Sequence, residues 1–196
     1  MLNTRSSLQW RLFVEWVLAN AIGWAIGFGL VETLIPAYNP QLAAIVTIAY
    51  TFGAAFLGFV QWLSLRRRGP MSSAWVAATT IGFLVGYLAF RLTENSLGLG
   101  SESQAIIGLI VLFGLVAAGV GIGQWLILRR QFTRTGWWMP VVLVSWLCGA
   151  GMWVVLSGLT MGAVLSNLGA GIASGVVTAY ALHWLLSNAS TGAVVL

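Results

Sequence analysis

The sequence contains no lysine and no aspartate, and charged residues make up only 7% of its 196 positions. Soluble domains carry about 25% charged residues, which cover the surface with groups that water solvates. This chain is instead 59% hydrophobic, so it lacks the polar groups that a water-exposed surface needs. The composition therefore excludes an ordinary soluble domain and predicts an integral membrane protein.

Residues that carry chemistry are equally scarce. There is one cysteine, Cys148, and one histidine, His183, so an intrachain disulfide is impossible and a metal cluster lacks its usual ligands. We expect Cys148 to be a small buried hydrophobic residue inside an apolar segment. Hydrolase, nucleotide-binding, zinc and paired-carboxylate motifs are missing, so we expect no enzymatic activity.

The basic residues indicate orientation and not a nucleic-acid partner. Nine arginines and four glutamates give a net charge of +5, but the arginines lie between apolar segments and form no extended basic surface. In a six-span arrangement only Arg91 falls on one side. The other eight fall on the opposite side, which predicts that both termini are cytoplasmic: Arg5, Arg11, Arg66, Arg67, Arg68, Arg129, Arg130 and Arg134.

Six apolar segments are long enough to cross a bilayer as helices. Each holds about 20 or more largely apolar residues, which at about 1.5 Å per residue spans roughly 30 Å of hydrocarbon. They lack the period-two alternation of membrane strands, so the predicted fold is all-α. The predicted spans are Trp10 to Leu34, Gln41 to Arg66, Ser73 to Leu92, Gln104 to Arg129, Trp137 to Leu156 and Ala163 to Ser187.

The spans repeat in pairs. Gly-x-x-Gln-Trp-Leu-x-Leu-Arg-Arg occurs at 58–67 and at 121–130, and His183-Trp184-Leu185-Leu186 is an eroded third copy. The odd spans repeat in parallel, beginning at Trp16, Trp75 and Trp138. These patterns predict one transmembrane domain over 1–196, a six-helix bundle built from three two-helix repeats at approximately 10–68, 73–131 and 137–188.

Small residues recur on one face of each odd span and beside the glutamines of the even spans. Their spacing of three or four residues places them in line on a helix, where they allow two backbones to approach closely in lipid. A glycine-lined ligand slot is the alternative interpretation. The candidate packing residues are Gly23, Gly27, Gly58, Gly82, Gly86, Gly121, Ser145 and Gly149.

A few polar residues lie inside the predicted spans. Gln61, Gln124 and His183 occupy one position of the repeat, so we expect them to form a polar layer facing the bundle interior, either as hydrogen-bonding partners or as a functional ring. His183 could alternatively be an axial ligand of a tetrapyrrole metal, the sole candidate for metal binding. Other candidate intramembrane polar residues, which include a potential proton carrier, are Glu15, Asn20 and Thr79.

The repeated Gly-x-x-Gln-Trp-Leu-x-Leu-Arg-Arg element, followed by a span that begins with tryptophan, resembles a group of small bacterial polytopic membrane proteins. The resemblance covers nearly the whole chain through its repeats. It implies a protein of the bacterial inner membrane and implies no particular activity. The third copy departs from the pattern, since Asn188 and Ala189 stand where the arginines would be.

Three functions follow from these features. The leading expectation is a non-enzymatic accessory or scaffold subunit of a larger membrane complex, surrounded by membrane lipids and other subunits, that holds lipid, carotenoid or a chlorophyll-type pigment. The second is a small-solute transporter or channel with pseudo-threefold repeats. The third is a tetrapyrrole- or quinone-binding protein that uses His183.

Overall fold

Nearly all of the described chain is helical. The computed structural model describes residues 2–35, 42–67, 71–99, 104–132 and 135–189, and of these the side chains of 2–9, 95 and 187–189 are not described. Six long helices occupy these ranges, as the hydropathy of the sequence predicts. The first is α1, which runs over Leu2–Trp24, continues through a π-helical turn at Ala25–Gly29 and ends with Leu30–Leu34.

The other five helices follow at short intervals. They are α2 at Ala43–Arg66, α3 at Ala74–Leu97, α4 at Ala105–Leu128, α5 at Trp138–Gly158 and α6 at Gly162–Ala189. Two of the turns depend on left-handed backbone: Gly98 ends α3 with φ of 65°, and Gly162 opens α6 with φ of 76°. Glycine adopts this conformation without the penalty that a Cβ atom brings.

The six helices form a closed ring. Each helix packs against the helix before it and the helix after it, and α6 packs against α1. Within the described residues these six neighbouring pairs account for the close approaches between helix backbones, and side chains reach across the interior between the other helices. A ring of six helices has an interior, and that interior holds both of the features described below.

All six helices are long and apolar enough to span a membrane. Their outward faces are apolar too, with large side chains such as Phe52, Ile106 and Leu165 exposed along the ring. Contiguous apolar surface of this extent is unfavourable in water and favourable against lipid tails. The prediction of six helices that are able to span a membrane is therefore confirmed by their length and apolar composition.

Exposed arginines gather where α2 and α4 end. The guanidinium of Arg66 lies 4.7 Å from the ring centre of Trp62, and that of Arg129 lies 4.8 Å from the ring centre of Trp125. Cations over tryptophan faces are attracted by the ring quadrupole, and tryptophan is enriched at membrane interfaces. Arg68 and Arg134, expected in the same group, lie outside the described residues, as does the side chain of Arg5.

Candidate functional site

Four buried polar side chains from four consecutive helices meet near the arginine-rich end of the ring. They are Asn20, Gln61, Thr79 and Gln124, and we call them the polar layer. Gln61 Nε2 donates to Asn20 Oδ1 at 2.9 Å. Gln124 Nε2 donates to Thr79 Oγ1 at 3.0 Å and, with a longer separation of 3.4 Å, to Gln61 Oε1. The layer is therefore a chain of hydrogen bonds that joins α1, α2, α3 and α4.

Three fully buried tryptophans donate hydrogen bonds through their indole N–H groups at this end of the bundle. Trp75 Nε1 donates to Gln61 Oε1 at 3.1 Å, and Trp138 Nε1 donates to Gln124 Oε1 at 3.2 Å. The ring of Trp75 makes edge contacts with those of Trp16 and Trp138, with centroids 6.1 and 6.2 Å apart. The three indoles therefore lie buried inside the ring beside the polar layer.

Trp16, the corresponding tryptophan of α1, also donates a hydrogen bond, but to a residue that the sequence analysis did not predict. Its Nε1 donates to Thr178 Oγ1 of α6 at 2.8 Å. His183, which we expected to complete the layer, is exposed and lies outside it. The five residues from Thr178 to His183 amount to about one and a half helical turns, and this rotation directs the histidine away from the interior.

The structure also gives the positions of the other intramembrane residues that the sequence analysis named. Asn20 and Thr79, predicted only as intramembrane polar residues, belong to the polar layer. Glu15 is half-buried and lies neither in the layer nor in the cavity described below. Cys148 is exposed on the outer face of α5, so the expectation that it is buried is wrong.

Small residues mark where the helices approach most closely. A Cβ atom placed on Gly27 would lie 2.6 Å from the carbonyl oxygen of Gly53, and one placed on Gly82 would meet the carbonyl oxygen of Gly119. Backbone atoms cannot move aside as a side chain can, so these positions admit only glycine without displacing a helix. The other predicted packing positions are also buried: Gly23, Gly58, Gly86, Gly121, Ser145 and Gly149.

The π-helical turn of α1 lies at the middle of these contacts. It covers Ala25–Gly29, with Gly27 against α2 and Gly29 against Val164 of α6. A π-turn inserts one extra residue per turn and often marks a functional position. Here it precedes Glu32 by one helical turn and brings Phe28 into the interior.

Beyond the polar layer, the interior of the ring opens into a cavity of about 560 Å³. All six helices line it, and none of the polar layer residues does. The cavity lies in the half of the bundle away from the arginine-rich end, and reaches Ile35 of α1 and Arg91 of α3. Its volume falls within the range of about 300–1,000 Å³ that small-molecule sites occupy.

The wall of the cavity is largely aromatic. The rings of Trp24 and Trp146 lie 4.9 Å apart, and Phe28 and Phe83 stack at 5.5 Å. The same network continues with centroid separations of 6.0 to 6.3 Å through Phe113, Tyr50 and Tyr87. Such a wall offers apolar area together with the negative faces of the rings.

One carboxylate, that of Glu32, enters this apolar wall. Trp153 Nε1 donates to Glu32 Oε2 at 3.1 Å, and Asn167 Nδ2 donates to the same oxygen at 2.9 Å. Both donors also line the cavity. Hydrogen bonds from α5 and α6 therefore fix the position of a carboxylate that belongs to α1.

The polar rim of the cavity is formed by α3. Arg91 Nη1 donates to Glu94 Oε2 three residues later, and both side chains line the cavity. Because Arg91 has this acidic partner on its own helix, the pair brings no net charge to the rim.

Sequence reasoning missed this cavity, although a signal was present. The residue that follows the first small position of each odd span is aromatic: Trp24, Phe83 and Trp146. All three are buried and line the cavity. The same register that predicts helix packing through the glycines could have predicted a convergence of aromatic rings beside them.

Comparison of the chain with protein-family models, with curated proteins and with solved structures finds no match in any of the three.

Proposed function

We propose that the protein is a non-enzymatic integral membrane protein that holds one apolar or amphiphilic small molecule, of the lipid or pigment class, in its aromatic cavity. The observation that carries the proposal is a cavity of about 560 Å³ that all six helices line. Of its lining, most side chains are apolar or aromatic, which suits an apolar occupant. Its aromatic walls and few fixed polar groups are typical of ligand sites.

We further infer that the ring consists of three copies of one hairpin. Gly58 and Gly121 each face the neighbouring odd helix at the positions one and four residues after its tryptophan, namely Val76 with Thr79 and Met139 with Val142. Matching positions of this kind favour an internal repeat.

In α6 the same role belongs to Gly175 and not to a residue near His183. A Cβ atom on Gly175 would lie 3.1 Å from Val17 Cα and 3.0 Å from Asn20 Cβ, again one and four residues after a tryptophan. The proposed third copy therefore carries Gly-x-x-Thr, with Thr178 in place of the glutamine.

The proposed orientation has the arginine-rich end in the cytoplasm of a bacterium and the cavity towards the outer side of the inner membrane. The support is the segregation of exposed arginines: Arg66, Arg67, Arg129 and Arg130 at one end against Arg91 at the other. Lysine and arginine are enriched on the cytoplasmic side of membrane proteins.

The polar layer favours holding a ligand over conducting a solute. A transporter or channel needs a path through both halves of the bundle, whereas hydrogen-bonded side chains and three indoles occupy the half that contains Gln61. A tetrapyrrole held by His183 would lie on the outer, lipid-facing surface of α6, apart from the cavity.

The test is to identify what accompanies the protein through purification. The protein is extracted in a mild detergent and its bound small molecules are quantified by native mass spectrometry and by absorption spectroscopy. Leu112→Trp places a large ring in the cavity, and Ile110→Trp makes the same change two residues away on the exposed face of α4.

We expect about one ligand per chain in the wild type and in Ile110→Trp, and strong depletion in Leu112→Trp. Equal ligand content in the two variants would overturn the proposal. The role as accessory subunit of a larger complex is tested separately: after crosslinking in native membranes, other membrane chains should co-purify in fixed stoichiometry.

A further inference from the structure

The charged residues that line the cavity do not cancel. Among the described residues they are Glu32, Glu94 and Arg91, so their formal charge is two negative and one positive, a net charge of −1. Glu94 and Arg91 pair with each other at the rim. The excess negative charge among these residues therefore belongs to Glu32, whose carboxylate is bonded by Trp153 and Asn167.

Among the described residues, no arginine side chain forms an ion pair with Glu32. Its two hydrogen bonds come from neutral donors, and both go to Oε2. An ionised carboxylate in an apolar environment is strongly unfavourable unless a cation or a proton compensates it. Trp153 and Asn167 would orient such a carboxylate, but they bring no charge.

The aromatic rings around the same space point to the sign of the compensating charge. The rings of Phe28, Tyr50 and Tyr87 succeed one another at centroid separations of 6.1 Å on the side of the cavity nearest Glu32. Aromatic faces attract cations within about 6 Å of a ring centre, most strongly when the cation is desolvated, and they repel anions.

We propose that the occupant of the cavity is an apolar molecule that carries an organic cationic group, an ammonium or phosphonium group whose charge is neutralised by Glu32 while the aromatic wall covers the apolar body. This inference rests on the proposed function, because it takes the cavity as the ligand site. The cationic group is supplied either by a free lipophilic cation or by the amino headgroup of a lipid.

The test uses two probes of nearly the same size and shape and of opposite charge, tetraphenylphosphonium and tetraphenylborate. Binding to the purified full-length protein in a neutral detergent is measured by equilibrium dialysis. We expect the phosphonium to bind about ten-fold or more tightly than the borate. Equal binding of the two, or tighter binding of the borate, would overturn the proposal.

The variant Glu32→Gln removes the charge but keeps an oxygen that Trp153 and Asn167 can bond. We expect it to abolish most of the preference for the phosphonium. Glu15→Gln is the matched control, since it removes a carboxylate from the same helix outside the cavity and should keep the preference. An unchanged preference in Glu32→Gln would assign the charge selectivity to another group and contradict the proposal.

The source of the cation is distinguished by competition. Displacement of the phosphonium by phosphatidylethanolamine, but not by phosphatidylglycerol with the same tails, identifies a lipid headgroup. Displacement by tetrabutylammonium and by neither lipid identifies a free cation, and equal displacement by the two lipids would contradict the charge assignment. Failure of both probes to bind the wild type would overturn the charge assignment alone. The proposed function would then still be tested by the ligand content of Leu112→Trp compared with that of Ile110→Trp.

Discussion

The indole of Trp16 in α1 donates to the hydroxyl of Thr178 in α6 across 162 positions of the sequence. The first and last helices of the described chain are therefore joined by a buried hydrogen bond as well as by packing. The same hydroxyl donates to the carbonyl oxygen of Ser174 at 2.9 Å. The Thr178 hydroxyl thus both accepts a hydrogen bond from Trp16 and donates one to Ser174. The contact that closes the ring therefore leaves no polar atom of this hydroxyl without a partner.

Removing the Thr178 hydroxyl should destabilise the ring measurably. In Thr178→Val the shape is kept, but the buried N–H of Trp16 loses its partner, at a cost of about 1–3 kcal/mol. Thr80→Val is the matched control, because the Thr80 hydroxyl bonds only the carbonyl oxygen of Val76 in its own helix. The free energy of unfolding, measured by titration with a denaturing detergent, should fall in the first variant and change little in the second.

His183→Ala provides the complementary test of the same helix. Because the side chain is exposed, we expect the melting temperature in mild detergent to stay within error of the wild type. A decrease as large as that of Thr178→Val would show that the histidine, and not the threonine, completes the layer.

Within the polar layer, Gln61→Leu should be more destabilising than Gln124→Leu. Loss of Gln61 removes the partners of the buried Asn20 oxygen and of the buried Trp75 N–H. Loss of Gln124 leaves the indole of Trp138 without its acceptor. It also removes the donor to Thr79 Oγ1, but a threonine hydroxyl can bond a carbonyl oxygen of its own helix, as that of Thr80 does. At about 1–3 kcal/mol for each stranded group, the two unfolding free energies should differ by about the cost of one group, and the reverse order would contradict the arrangement of the layer.

The closest backbone contact should not accept a side chain. Gly27→Leu would push a Cβ atom against the Gly53 carbonyl oxygen and force α1 away from α2, which we expect to lower stability by at least the roughly 1–3 kcal/mol typical of overpacking. Gly114→Leu is the control, since nothing lies within 4 Å of a Cβ atom there. Equal melting temperatures of the two variants would mean that the approach of the helices is looser than described.

Reporter fusions test the orientation. A green fluorescent protein joined after Arg130 should fluoresce, because that end is predicted to be cytoplasmic, whereas one joined after Leu97 should be exported unfolded and dark. An alkaline phosphatase fused at the same sites should give the opposite pattern. Identical results at both sites would exclude an odd number of crossings between the two fusion points.

The boundaries of the helices were predictable because hydropathy depends on local composition. The expected end of the first span at Leu34 is reproduced, although its helix begins at Leu2 and not at Trp10, and the sequence also placed Asn20, Gln61 and Gln124 within the predicted spans. Burial of these side chains follows from the high cost of exposing an amide to lipid.

The third copy and the cavity were not predictable in the same way. His183-Trp184 resembles the Gln-Trp of the other copies in sequence only. In the structure, α6 packs against α1 through Gly175 and Thr178. The π-turn at Ala25–Gly29 adds one residue to a turn of α1, ahead of Glu32, whose partners Trp153 and Asn167 come from the last two helices. Both depend on how hairpins close on one another, which a local pattern does not encode.

Closure of the ring through α1 and α6 also sets an order of events while the chain is being made. Asn20 leaves the ribosome with the first helix and gains the amide of Gln61 one hairpin later, but Trp16 has no acceptor until Thr178 is synthesised. The cavity likewise needs Asn167 of α6 as well as Glu32 of α1. The seam between α1 and α6 can therefore close only after the last helix has entered the membrane, and the wall of the cavity is complete only then.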